Sequence, residues 1–328
     1  MKTVLAADLP PGPRRIVMYY FIVNPNSRSG KGLGIWNKLK TRLDKDRIPY
    51  EAYLTERTGH AVQLAADLTS PRHKDTSPKT IIVMGGDGTL NEVLNGISLS
   101  SSVTLGYIPS GSGNDFSRGM KFSRNPSKAL DRILKSDQFR YIDYGILSYM
   151  SDYPAHRRFI VSTGIGYDAD VCQNLFTTKL KKSFNQLHIG KLTYLLIGIK
   201  RIVLCKSCSG YLLLDGVKRV NLKQIRFISS HIQKYEGGGF CFAPKADPAD
   251  GCLDLCVVSG SSRLRLTFLL LASLFGKHIY CNGVRTYTCR EVSIHTDLPL
   301  LVHADGESCY GQTDISIRCE EKKLRFIC

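Results

Sequence analysis

From Ile16 to about Asp143, short β-rich apolar runs alternate with stretches whose apolar residues recur every three or four positions. That alternation is the pattern of parallel strands joined by helices. Arg15–Val23 (RIVMYYFIV) reads as a first strand, and Tyr50–Thr55 (YEAYLT), Thr80–Gly85 (TIIVMG) and Val103–Pro109 (VTLGYIP) as the second, third and fourth. Between them, Leu33, Trp36, Leu39 and Leu43 fall near one face of a helix over Lys31–Lys45, and Ala61, Leu64, Ala65 and Leu68 near one face of another. Pro126, following Asn125, opens a further helix carrying Leu130, Ile133 and Leu134.

Beyond Tyr144 the texture changes to many short β-like runs: RFIVSTGIG, GYLLLDG, KQIRFISSHI, CLDLCVVSG, REVSIHT, PLLVHADGE, TDISIRCE and KLRFIC. They predict a mostly antiparallel second domain, which divides the chain into residues 1–144 and 145–328. Two helical stretches interrupt it, LHIGKLTYLLIGIKRIV and RLRLTFLLLASLFGKH.

A chain of 328 residues, 43% hydrophobic, can bury a substantial core in one large domain or two. Its 45 Lys and Arg against 28 Asp and Glu leave a formal charge of +17, a bias toward nucleic acid, anionic lipid surfaces or phosphorylated substrates. No helix-turn-helix, zinc-finger or RNA-binding aromatic motif is present, which argues against nucleic acid. Eleven cysteines do not imply a disulfide framework here, since the amino terminus lacks the apolar run of a signal peptide, and a reduced cytoplasm is expected. Only Cys205 and Cys208 have tight metal-ligand spacing, without a matching second pair. No segment reaches the roughly 18 apolar residues of a membrane span.

The third strand runs into GGDGTLNEVLNG, where Gly85, Gly86 and Gly88 permit close backbone approach and a helix follows. Thr89 and Glu92 have the spacing of a capping box. Free amides at a helix start form a site for phosphate oxygens, although such a turn can also be a tight strand-to-helix connection. The spacing is neither that of a P-loop nor that of a dinucleotide fingerprint. Two other strand ends carry similar donor-rich loops, NPNSRSGKG and IPSGSGNDFSRG, to which Lys31 and Arg118 add positive charge. Three such loops would converge on the edge of the sheet where α/β proteins bind ligands. Asp87 sits among them, and a bare carboxylate about 4 Å from a phosphate charge would repel it by roughly 4 kcal/mol at an effective dielectric near 20. A divalent cation reverses that sign, and Mg²⁺ suits carboxylate, water and phosphate oxygens. Asp115, next to Asn114 in GNDF, would share the task; a role for Asp87 as a helix cap alone remains open.

With NPNSRSGKG, TERTGHA, GGDGTLNEVLNG, PSGSGNDFSRG and HADGE in this order, the sequence resembles the diacylglycerol kinase catalytic-domain family, above all its bacterial soluble lipid kinases, with sphingosine and ceramide kinases as relatives. The resemblance implies an N-terminal Rossmann-like three-layer α/β domain, related to phosphofructokinase and NAD kinase, and a C-terminal, mostly antiparallel β-sandwich domain for the lipid. ATP and Mg²⁺ would occupy the cleft. It further implies that Asn24, Pro25, Asn26 and Ser27 line the nucleotide phosphates, as do Gly86, Asp87, Gly88, Thr89, Leu90, Asn91 and Glu92, with Thr55 and Ser112 as further nucleotide contacts. Asp143 would join Asp87 and Asp115 in a water-and-magnesium network, and a second magnesium site would map to Asp247, Asp250 and the carbonyl of Cys252.

HADGE supplies a proton acceptor. Asp305 and Glu307 would share a face if their strand continued, although Asp-Gly is also a common turn pair. By resemblance Glu307 is the base and Asp305 its orienting neighbour; His303 reads as structural. RLRLTFLLLASLFGKH, KLKKSF and GIKRIVLCK place positive charge beside apolar residues, which suits either a membrane surface or core helices with solvated ends. The expectation is an ATP- and Mg²⁺-dependent lipid kinase, cytoplasmic and peripheral to the inner face of the membrane, with no nucleic-acid partner and a homodimer left open. The alternative is an NAD-kinase-like transfer to a soluble nucleotide.

Overall fold

A run of consecutive apolar residues can be buried on both faces only in a sheet covered on both sides. Tyr20–Val23 and Ile81–Met84 are such runs, and all their side chains are buried. The structure, a computed structural model, describes residues 18–70, 77–177, 198–202 and 207–328. Residues 15–17 of the expected first strand, the KLKKSF segment, Cys205 and most of the helical run from Leu187 to Val203 lie outside the described residues. The runs form the centre of a parallel sheet built from β1 (Tyr19–Val23), β2 (Tyr50–Leu54), β3 (Lys79–Gly85) and β4 (Val103–Pro109), ordered β2-β1-β3-β4.

Alternation along these strands feeds two cores. Phe21, Val23, Ile82, Met84 and Ile108 pack against Trp36, Leu39 and Leu43 of the helix Gly32–Lys45 and against Leu130 and Ile133 of the helix Pro126–Lys135. Tyr20, Ile22, Ile81, Val83 and Tyr107 pack against Ala61, Ala65 and Leu68 of the helix His60–Thr69 and Leu90, Val93 and Leu94 of the helix Asp87–Gly96. The result is the expected three-layer α/β domain. Leu33 departs from its predicted face and is exposed, because at about 100° per residue it lies roughly 60–120° around the helix from Trp36, Leu39 and Leu43.

The run KLRFIC is a correction. It reads as one more strand of the second domain, but Leu324–Ile327 (β15) returns to the first sheet, parallel to β4 and antiparallel to β5 (Phe139–Ile142). Phe326 is fully buried there, its ring 5.1 Å from that of Phe116. A strand pattern records burial, and both sheets offer it, so the pattern cannot tell which sheet receives the strand.

The second sheet contains β6 (Gly145–Met150), β7 (Pro154–Phe159), β8 (Ser162–Gly166), β9 (Cys208–Leu214), β10 (Lys218–His231), β11 (Leu253–Ser259), β12 (Val284–Cys289), β13 (Glu291–Ala304) and β14 (Glu307–Cys319). Its pairings are antiparallel, in the order β12-β11-β10-β8-β13-β14-β6-β7, with β9 bridging β10 and β13. The 14-residue strands β10 and β13 each pair with β9 along one half and β8 along the other, wrapping the sheet around one apolar core. REVSIHT and PLLVHA thus form a single strand with a register shift between His295 and Leu300. RFIVSTGIG, conversely, is two strands interrupted at Ile160–Val161.

Candidate active site

The carboxyl ends of β1, β3 and β4 carry the three donor-rich loops, and the structure brings them together. Asn24 Nδ2 donates to Thr89 Oγ1 at 3.0 Å, and the hydroxyls of Ser27 and Ser110 lie 2.8 Å apart. Gly86 and Gly111 approach so closely that a Cβ on Gly111 would lie 2.5 Å from the Gly86 Cα, so only glycine fits. Within NPNSRSG the chain coils tightly, with Arg28 and Ser29 at positive φ and the amide of Asn26 donating to Asn24 Oδ1. Thr55 is buried at the end of β2, its amide bonded to Val23 O, whereas Ser112 and Lys31 are exposed.

The expected capping box is absent. The helix begins at Asp87, with Gly86 and not Thr89 as its N-cap, so Thr89 lies inside its first turn. Glu92 instead accepts the amide of Ala61 at 3.1 Å, at the start of the preceding helix. Leu90 belongs to the core, and the side chain of Asn91, fully buried, points away from the phosphate rim. Any contact these two make to phosphate is through the backbone.

Asp87 accepts the amides of Asp115 and Phe116 at 2.9 and 3.1 Å, capping the short helix Asp115–Gly119. Asn114, at positive φ, closes the turn by exchanging hydrogen bonds with Gly111. Asp115 accepts the Gly238 amide at 2.6 Å and pairs with Arg118, so Arg118 neutralises a carboxylate here, and its guanidinium sits over the Tyr235 ring. A Cβ on Gly113 would be 3.4 Å from Asp87 Oδ2 and 3.5 Å from Asp115 Oδ2, so both carboxylates face one small space. Burial, then repulsion from Asp115, pushes the Asp87 carboxyl up to about 7. Two crowded carboxylates beside a ring of amides fit a divalent cation that keeps some of its waters.

Asp143 does not join that pair. Fully buried, it pairs with Lys323 Nζ at 2.8 Å and accepts the Gly251 amide at 2.7 Å. Lys323 also donates to Ala249 O at 2.6 Å, inside the Asp247–Cys252 loop, where Asp247 and Asp250 bond the amides of Ala249 and Cys252. A lysine ammonium therefore stands beside the loop for which a second magnesium was expected. Asp87, Asp115 and Asp143 do not form a cluster of three ligands among the described residues.

Asp305 and Glu307 do not lie along one strand. Ala304 pairs with Glu307 across a two-residue hairpin in which Asp305 and Gly306 both have positive φ, 48° and 86°, the conformation of a type I′ turn. The turn reading thus holds. The Asp305 carboxylate accepts the amides of Ile160, Val161 and Ser162 at 2.8–3.0 Å and the Asn91 side chain at 2.8 Å. This explains the gap between β7 and β8: its amides serve Asp305 in place of a ladder. Glu307 is half-buried at the start of β14.

Beneath the turn is a buried group that the motifs did not reveal. His303 Nε2 lies 2.9 Å from Asp168 Oδ2 and 3.2 Å from Glu236 Oε1, with Cys172 beside them. Burial, then Asp168, pushes the Glu236 carboxyl up to about 7. The legible signal was YEGGG: Gly237, Gly238 and Gly239 all have positive φ, which marks an irregular loop, and Gly238 is the donor to Asp115. Tyr167, Val171, Phe240, Phe242 and Leu270 wall a cavity that ends at Asp168 and Glu236.

The helix Arg263–Ser273 has two apolar faces. Leu266, Leu269 and Leu270 pack on Phe227, Phe240 and Phe242, while Leu264, Phe268, Leu271 and Phe275 form an exposed stripe between exposed Arg263, Arg265 and Lys277. The core-helix reading of this segment holds for its buried face. Among the described residues no helix is long and apolar enough to cross a membrane.

A glycine-rich α/β rim facing an acidic hairpin on an antiparallel domain is an arrangement suited to a phosphotransferase. Residues 18–146 match the diacylglycerol kinase catalytic domain, and residues 161–328 match the YegS C-terminal NAD kinase beta sandwich-like domain. The chain belongs to the diacylglycerol kinase catalytic-domain family. It is 28% identical to YtlR of Bacillus subtilis over 94% of this chain and 98% of that protein. It is 27% identical to a diacylglycerol kinase of Mycobacterium tuberculosis over 72% and 73% of the two chains. A crystal structure from Bacillus anthracis shares its fold, with a TM-score of 0.76, 22% identity and 98% of each chain covered.

Proposed function

We propose that the protein transfers the γ-phosphate of ATP to the hydroxyl of a diacylglycerol or a related lipid, giving a phosphatidic-acid-type product. One observation carries this reading. The hydrogen bond from Asn91, in the helix that follows the phosphate turn, to Asp305, in the acidic hairpin, ties the donor site to the acceptor site.

Phosphoryl transfer asks the protein mainly for positioning and charge neutralisation. The amides of Gly86–Thr89 and of the Asn24–Ser27 loop bind phosphate oxygens at the positive end of the helix dipole. Asp87 and Asp115 would hold Mg²⁺, which when bound supplies the positive charge that lets phosphates approach two carboxylates. Asp305, saturated by four donors, holds the hairpin. Glu307 accepts the proton of the acceptor hydroxyl. The exposed Leu264–Phe275 stripe and its basic flanks would rest on an anionic membrane surface, placing the cavity behind it within reach of a lipid. The rival acceptor, a soluble nucleotide such as NAD, would gain nothing from that stripe.

Labelled ATP incubated with lipid micelles or with NAD separates the two. Label is expected in lipid with wild type, and not with Glu307→Gln, which should still bind nucleotide. Label in NAD alone, or undiminished transfer by the variant, would overturn the reading.

A further inference from the structure

Asp168, Cys172, Glu236 and His303 have ligand atoms within 4.8 Å of one another, all buried, which resembles a metal centre. The hydrogen bonds decide otherwise. Burial lowers the proton affinity of His303, whereas Cys172, Asp168 and Glu236 raise it, with a net rise. The Gly306 amide, however, donates to Nδ1 at 3.1 Å and leaves no room for a second ring proton, so the lone pair is on Nδ1 and the proton on Nε2, aimed at Asp168 and Glu236. A metal at the centre would need the nitrogen that carries the proton. Burial also pushes the Cys172 thiol up, away from the thiolate a metal binds.

What the cluster does instead is aim a lone pair. Asp168 reaches His303 across Gly164, where a Cβ would lie 2.4 Å from Asp168 Oδ2 and 3.0 Å from His303 Nε2, so the glycine leaves room for the contact. The carboxylate holds the proton on Nε2, the ring presents Nδ1 to Gly306, and Gly306 precedes Glu307. Asp305 is anchored by amides of residues 160–162, but the second half of the hairpin has His303 as its side-chain anchor.

We propose that His303 is a positioning residue for the transfer reaction: with Asp168 fixing its tautomer, it pins the Gly306 peptide and thereby sets the carboxylate of Glu307. The role rests on the reading of Glu307 as the base. Across the ring the facing groups are Asp168 and Cys172 from the helix Tyr167–Thr177 and Glu236 from the glycine loop, with His231 behind Glu236 at 3.8 Å.

Two near-isosteres separate the ring nitrogens. His303→Asn puts an acceptor near the place of Nδ1, and His303→Gln puts its polar group near the place of Nε2. Hydrogen exchange of the peptide containing Gly306, read without nucleotide or lipid, should stay slow in His303→Asn and become fast in His303→Gln. In the transfer assay kcat should stay near wild type for Asn and fall by about 100-fold for Gln, as misplacement of a reacting group by an ångström would produce, with KM for ATP unchanged in both. Should the Gln variant fail to fold, Asp168→Asn, which removes the charge holding the proton on Nε2, should speed exchange at Gly306 and lower kcat by about 10-fold. Equal behaviour of the Asn and Gln variants, or an Asp168→Asn variant with wild-type exchange and kcat, overturns the proposal while leaving the kinase reading intact. Wild-type protein that labels no lipid removes that reading and the proposal with it.

Discussion

Asn91 and Asp305 stand 214 residues apart in the chain and 2.8 Å apart in the fold. The same Asn91 amide donates to Arg158 O at 2.9 Å, so one buried side chain joins the phosphate-turn helix, the edge of β7 and the acidic hairpin. The consequence is that Asp305 and Glu307, two residues apart, should fail in different ways when replaced. Asp305→Ala strips the acceptor from three backbone amides at the β7–β8 gap and is expected to lower stability by about 2–4 kcal/mol, together with kcat. Glu307→Gln should abolish transfer and leave the urea midpoint where it was. A stable Asp305→Ala variant with normal unfolding would contradict the anchoring role.

His231 and His278 flank the Phe242 ring, with ring centroids 6.3 and 5.7 Å from it. Burial holds His231 down at about 3 and His278 at about 4, against an ordinary 6.5. A depressed folded-state pKa means that the unfolded chain binds the proton first. The stability each group contributes is therefore complete above about pH 6.5 and drains away as pH falls toward the folded value. For His278 alone that amounts to about 3 kcal/mol. Urea unfolding should show stability falling steadily from pH 6.5 to pH 4, and His278→Gln should flatten the fall. A variant whose acid limb is as steep as that of wild type would refute the assignment.

The phosphate rim was legible because its signals are local: glycines, donor side chains and strand ends within a dozen residues of one another. Registration was not. The N-cap is Gly86 and not Thr89, and Gly86 packs on Gly111, a contact between loops far apart in sequence. Asp143 is acidic as expected but is taken up by Lys323, whose proximity only the tertiary fold creates, and Arg118 is taken up by Asp115 three residues earlier on the same short helix. His303 reads as structural from its neighbours in sequence; its meaning lies in Asp168, 135 residues away.

The stripe Leu264, Phe268, Leu271 and Phe275 follows a four-three-four spacing on the solvent side of its helix, and Leu264 and Phe275 are 84% and 78% exposed. Replacing Leu264 and Phe268 by glutamate should leave thermal stability unchanged, since neither packs in the core. Co-sedimentation with anionic vesicles should weaken by roughly 100-fold, the equivalent of about 3 kcal/mol of lost apolar burial. Leu269→Glu, on the buried face, should instead unfold the protein. Vesicle binding that survives the double substitution would place the membrane contact elsewhere.

Lys323 and Asp143 offer the sharpest test of how the acidic residues divide their work. Asp143 has no exposed surface and holds Lys323 at 2.8 Å, and Lys323 in turn clasps the carbonyl of Ala249. Lys323 keeps 31% of its side chain exposed, but removing it leaves the buried carboxylate unanswered, so Lys323→Met should lose about 2 kcal/mol. Adding Asp143→Asn to that variant removes the stranded charge and should restore a good part of the loss, a positive coupling visible in a double-mutant cycle. If Asp143 serves this pair and not the carboxylates at the rim, Asp143→Asn alone should lower stability while the Mg²⁺ concentration for half-maximal transfer stays the same, whereas Asp115→Asn should raise it. An Asp143→Asn variant that folds normally but demands more magnesium would return that residue to the catalytic carboxylates and undo the division drawn from the geometry.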